Sequence, residues 1–141
     1  MQLELGDQPV REGLYKVVTN REFVIPIGAV DFPVAARATA GVDLPVATLF
    51  SVFPHMHLLG RSIAVHVRRG ATSPSTLIDI PVWDFGWQGA YQFEQPVALA
   101  AGDTLSVDCA YNNDGQARPS EVRYGPGASD EMCLAYLYMA P

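Results

Sequence analysis

The sequence predicts an all-β fold, an antiparallel β-sandwich resembling a jelly roll, and three observations carry that expectation. Short runs of β-branched and aromatic residues recur along the chain, eleven prolines and twelve glycines punctuate the gaps, and no apolar pattern of helical period lasts long enough for a substantial helix. Many short strands between turn signals each need one face covered, and packing two sheets together satisfies that need.

The strand-like runs follow in order. Residues 15–19 and 22–25 carry Tyr15, Val17, Val18, Phe23, Val24 and Ile25, and residues 32–38 run from Phe32 through Val34 to Ala38. Residues 47–57 form the longest run and end on two histidines; residues 63–69 and 75–80 are rich in Ile and Val. Residues 90–94, 104–111, 121–124 and 132–139 complete the set, each bounded by Gly, Pro, Asn or Asp. Residues 1–14 read differently. Gly6-Asp7-Gln8-Pro9 and Arg11-Glu12-Gly13 are polar and turn-rich, so this stretch is expected to be a linker or the end of an upstream domain, with the sandwich over 15–141.

Composition narrows the function classes. A chain of 141 residues fits one domain, and 49% apolar against 17% charged residues supports a packed core that needs no metal to fold. The net charge of −6 and the absence of a Lys/Arg run argue against nucleic acid as a partner. The longest apolar stretches, such as residues 45–54, fall short of the roughly 20 residues a membrane span needs. The first residues lack the basic start and apolar run of a secretory signal, which fits processed export or a fragment. Cys109 and Cys133 permit one disulfide and an oxidising compartment, although two free buried thiols fit the same count.

The chemistry gathers at Pro54-His55-Met56-His57. Side chains two apart on a strand share a face, so both imidazoles can meet one metal while Met56 points away. A thioether would complete a partly soft set suited to copper, especially Cu(I). Met1, Met56, Met132 and Met139 are the candidates, and a methionine in a β-rich strand is more often core filler. These physical arguments do not choose among them.

Four pieces carry a resemblance: Pro54-His55-Met56-His57-Leu58-Leu59-Gly60-Arg61; Trp83-Asp84-Phe85 with Trp87-Gln88; Gly102-Asp103 before Cys109; and Ser129-Asp130-Glu131-Met132-Cys133. Together they resemble the C-terminal, oxygen-binding copper domain of the copper type II, ascorbate-dependent monooxygenases. That family includes the peptidylglycine α-hydroxylating and dopamine β-monooxygenases. The match runs from about Phe23 to Met139, and its Trp-rich middle is most similar to bacterial relatives.

The resemblance implies that His55, His57 and Met132 bind one copper ion, that Cys109 and Cys133 are bonded, and that Tyr136 contacts substrate. If Cys133 is so tied, strand alternation turns Met132 to the opposite face. Phe53 and Leu134 stand where the peptide-hydroxylating branch carries Arg and Asn, so a peptide carboxylate would lose its partners. O2, a small-molecule substrate, ascorbate as reductant and an upstream electron-transfer copper domain are the implied partners. Three histidines cannot supply both of the family's copper centres. Turnover by this chain alone is therefore expected to be poor, and its implied location is periplasmic or extracellular.

Other residues read more simply. His66 matches no ligand of the family and is expected to be a surface or hydrogen-bonded histidine. Asp130 and Glu131 precede the last strand, where carboxylates are usually solvated; orienting an imidazole is the alternative. Trp83, Phe85, Trp87, Tyr91 and Phe93 read as core and sheet packing, with a substrate wall as the alternative. A copper carrier or sensor using the same three ligands, and a metal-free structural sandwich, are the competing functional classes.

Overall fold

The structure, a computed structural model, describes residues 12–114 and 119–141. Residues 1–11 of the expected linker lie outside the described residues. Ten strands follow in order: β1 (Leu14–Asn20), β2 (Val24–Ile25), β3 (Ala29–Thr39), β4 (Ala47–His55), β5 (Gly60–Arg68), β6 (Ser75–Ile80), β7 (Tyr91–Leu99), β8 (Thr104–Asn113), β9 (Val122–Arg123) and β10 (Cys133–Ala140). Each expected run overlaps one of them. They form two four-stranded sheets, β1-β10-β4-β7 and β3-β8-β5-β6, and a small β2-β9 ribbon. Every ladder is antiparallel, as predicted for the sandwich. No helix among the described residues is long and apolar enough to cross a membrane.

Strand alternation builds the core. Along β8, Leu105, Val107, Cys109 and Tyr111 point inward, while Thr104, Ser106 and Asp108 face out. Ile63, Val65 and Val67 of β5 and Ala135, Leu137 and Met139 of β10 join the same buried cluster. Each fully buried aliphatic side chain is worth roughly 1.5–3 kcal/mol. Cys109 and Cys133 are bonded, and the bridge crosses the sandwich from mid-β8 to the first residue of β10.

Most boundaries shift by a few residues from expectation, and two of the shifts bear on the site. The run expected to reach residue 57 stops as a strand at His55, because Leu134↔His55 is the last pair of the β4-β10 ladder at that end. On the other side of β4, pairing with β7 stops at Val52↔Tyr91. Residues 56 and 57 therefore have no strand on either flank. Met132, expected to open the last strand, lies one residue before it.

Candidate metal centre

Val52, Pro54 and Met56 are buried while Phe53 and His55 remain part-exposed, and this alternation ends at His57, which is itself buried; the two imidazoles meet all the same, one part-exposed and one enclosed. Their rings lie edge to face with centroids 5.0 Å apart. Met56 is wholly buried in the core and takes no part in this surface.

What replaces the missing strands is a side chain. The Glu131 carboxylate accepts the backbone N–H of His57 at 2.8 Å, of Leu59 at 2.6 Å and of Met132 at 3.3 Å. The His57 carbonyl accepts the Trp83 indole N–H at 3.1 Å. Buried backbone groups need partners, and here one carboxylate and one indole supply those a ladder would have provided. Glu131 is fully buried, which overturns its reading as a solvated carboxylate. Burial pushes its carboxyl above the usual range, and the Leu59 and His57 N–H groups pull it back. It orients the backbone that bears the imidazole rather than the imidazole itself.

The two rings are each held by one nitrogen. His57 Nδ1 lies 2.9 Å from the Asp130 carbonyl oxygen, so it carries the proton and donates. His55 Nδ1 lies 2.6 Å from Gln88 Oε1. Gln88 Nε2 donates to the Phe85 carbonyl at 2.8 Å, which fixes the amide with its oxygen toward His55. Both Nδ1 atoms are thus donors, and both Nε2 lone pairs are left for another partner. Asp130 contributes its main chain, while its carboxylate closes the preceding turn on the Gly127 N–H at 3.0 Å.

Burial lowers the His55 pKa from 6.5, the Gln88 hydrogen bond raises it, and the neighbouring His57 lowers it further. A lowered value means the ring stays neutral to a more acidic pH than a free imidazole does. In the metal-free protein, the His55 ring resonances are expected to titrate with a midpoint below 6.5. A midpoint at or above that value by NMR would contradict the environment described. Since a proton and a metal compete for the same lone pair, ligation at His55 should weaken only as pH falls through that lowered midpoint.

The methionines are sorted by burial. Met56 and Met139 are wholly enclosed in the core, whereas Met132 is part-exposed at the mouth of the sandwich. Its main chain is gripped on both sides: its N–H reaches Glu131, and its carbonyl accepts the Tyr111 hydroxyl at 2.7 Å. The neighbouring Cys133 is tied to β8.

Gly60, in the stretch after the histidines, has a steric reason to be glycine. A Cβ there would lie 2.6 Å from Trp83 Cδ1 and 2.8 Å from Met56 Cε. Gly60→Ala is expected to cost about 1–3 kcal/mol, the range for overpacking, and to displace the indole that holds the His57 carbonyl. Denaturant unfolding checks this, and an unchanged midpoint would contradict it.

Aromatic rings extend outward from the pair. Phe85 stands edge-on to His57 with centroids 6.2 Å apart, and Phe53 lies beside His55 at 6.4 Å. Tyr136 is the cross-strand neighbour of Phe53 at 6.2 Å, so it reaches the histidines through Phe53 rather than directly. The expectation of core packing holds for Trp83 and Phe93. It fails for Phe85, Trp87 and Tyr91, which are exposed; Trp87 retains 79% of its accessible surface.

His66 sits away from this centre on the outer face of the other sheet, hydrogen-bonded to Thr76, as its simple reading anticipated. Among the described residues, no group of three or more His, Cys, Asp or Glu side chains could hold a metal.

The fold and the site define a class: a β-sandwich domain with an imidazole pair at its edge, both rings oriented through Nδ1. The chain belongs to the family described as copper type II ascorbate-dependent monooxygenase, C-terminal domain, whose model matches residues 12–141. Among its relatives are human "Putative DBH-like monooxygenase protein 2", 29% identical over 72% of this chain, and human "DBH-like monooxygenase protein 1", 33% identical over 66%. Caenorhabditis briggsae "Tyramine beta-hydroxylase" is 31% identical over 66%. The matched regions cover 20%, 15% and 16% of those relatives respectively, so the chain spans only a small part of their length. The solved structure of TmCBM61 in complex with beta-1,4-galactotriose aligns over 89% of this chain and 84% of that one at 10% identity. Its TM-score is 0.39, too low to carry an argument.

Proposed function

We propose that this chain is the mononuclear, oxygen-activating copper domain of a copper- and ascorbate-dependent monooxygenase that hydroxylates a substrate C–H bond. One observation carries the reading. His55 and His57 are neighbours whose Nδ1 atoms are both committed to oxygen acceptors, which leaves two Nε2 lone pairs adjacent and unspent. Family membership supports copper as the metal, and Met132 would supply the soft donor, since the other described methionines are enclosed in the core. A copper ion held there would supply the redox chemistry that activates O2 toward a C–H bond.

The chain's own residues do the rest. Gln88 and the Asp130 carbonyl fix ring orientation and tautomer, and Glu131 with Trp83 fixes the backbone under His57. Phe53, Phe85 and Tyr136 offer an apolar wall beside the pair, and Gln88 also lines a recess of about 340 Å³ with Trp87 and Tyr91. Such walls suit a small substrate without a carboxylate to anchor. Electrons would come from ascorbate through a second copper domain in the family's manner, and the Cys109–Cys133 bond fits an oxidising, periplasmic or extracellular location.

X-ray absorption of the Cu(I) form tests this. A sulfur scatterer is expected, and it should vanish in Met132→Ile, with Cu(I) affinity falling about tenfold or more. Cu(II) affinity should change far less, because the harder ion depends less on a thioether. Absence of sulfur, or sulfur that survives Met132→Ile, would overturn the ligand set.

A further inference from the structure

The outer face of the β3-β8-β5-β6 sheet carries a second concavity, distinct from the histidine pair. Its volume is about 680 Å³, within the range of small-ligand sites. Register explains its lining. Arg37, Ser106, His66 and Thr76 are cross-strand partners in one row across all four strands, and Arg68 faces Thr104 in the next. Ala35 and Ala64, flanking Asp108, leave the neighbouring row low.

Charge on this face is unevenly satisfied. Asp108 accepts the Ser106 hydroxyl at 3.1 Å and lies 3.5 Å from His66 Nε2. His66 Nδ1 pairs with the Thr76 hydroxyl at 3.0 Å. Arg37 and Arg68 have no hydrogen-bond or ion-pair partner among the described residues, although Arg61, Arg69 and Arg123 each do. Strands flanking a common neighbour lie roughly 10 Å apart, so both guanidiniums can lean over β8 from opposite sides and meet one ligand. Below them lie the short side chains of Ser106 and Thr104, which leave room; the Ser106 proton is spent on Asp108, so Thr104 is the hydroxyl that adds a donor. In a chain of net charge −6, two unpaired arginines over one cavity form a local reversal of sign.

We propose that this concavity binds a small organic anion, a carboxylate or a phosphate ester, whose oxygens are shared between Arg37 and Arg68. Planar guanidinium groups match both oxyanions bidentately, and the Thr104 hydroxyl beside Arg68 adds a third donor. Asp108 restricts the anion to the arginine end of the basin, since it repels a second negative group near His66.

Titration of the metal-free protein with inorganic phosphate and, separately, with succinate tests this, read by calorimetry and by the ring resonances of the three histidines. Saturable binding is expected to move the His66 signals and leave those of His55 and His57 in place. Arg37→Ala and Arg68→Ala should each weaken it about tenfold, and the double variant should abolish it, with unfolding midpoints unchanged because both side chains are exposed. Response to phosphate alone assigns the site to phosphate esters, and response to succinate assigns it to carboxylates. No saturable binding of either, undiminished binding in the double variant, or shifts confined to His55 and His57 would overturn the proposal.

Discussion

Glu131→Ala is expected to cost about 3 kcal/mol or more, since each buried donor left without an acceptor costs roughly 1–3 kcal/mol. The N–H groups of His57 and Leu59 both lose their partner, and a cavity opens where the side chain was wholly enclosed. In a domain of this size that corresponds to a fall in Tm of about 10 °C. Glu131→Gln keeps one acceptor oxygen and should fall between. Copper affinity should drop in the folded Ala variant as well, because the backbone carrying His57 is no longer fixed. Thermal unfolding within a degree or two of the parent would show that the carboxylate does not hold this segment.

Removing the Cys109–Cys133 bond ranks beside it. The cysteines are 24 residues apart, and the chain-entropy model gives about 3.5 kcal/mol for a loop of that length. Cys109→Ala with Cys133→Ala, or reduction of the parent, is expected to lower the unfolding midpoint by about 10 °C. Reduction should also weaken Cu(I) binding at the proposed centre, since the bond anchors the residue after Met132. Matched melts with and without reductant that superimpose would contradict the first expectation. Equal Cu(I) affinities would contradict the second.

The fold was legible because its signals are local. Val34, Val65 and Val107 sit in runs whose composition and turn boundaries announce strands, and all three occupy the core. The histidine pair was legible for the same reason: the two residues lie two apart, and their rings meet even where the ladder has ended. Glu131 and Gln88 were not. Glu131 serves backbone groups 74 residues away, and Gln88 serves a ring 33 residues away. Nothing in the spelling around either residue records its partner. A carboxylate before a strand looks solvated until the opposite segment is known to have lost its neighbours. The exposed Trp87 misled in the opposite sense, since an aromatic in an apolar sequence is ordinarily core.

The long reach of Glu131 also sets an order in time. Contacts between segments this far apart form late, because the intervening chain must first be closed into a loop. A newly made chain thus presents the two imidazoles early, on a short local stretch, and the 130–132 segment only after β10 has docked against β4. An ion that needs donors from both segments cannot nucleate the fold; it waits for it. Copper added during refolding should therefore leave the refolding rate unchanged and slow only the unfolding.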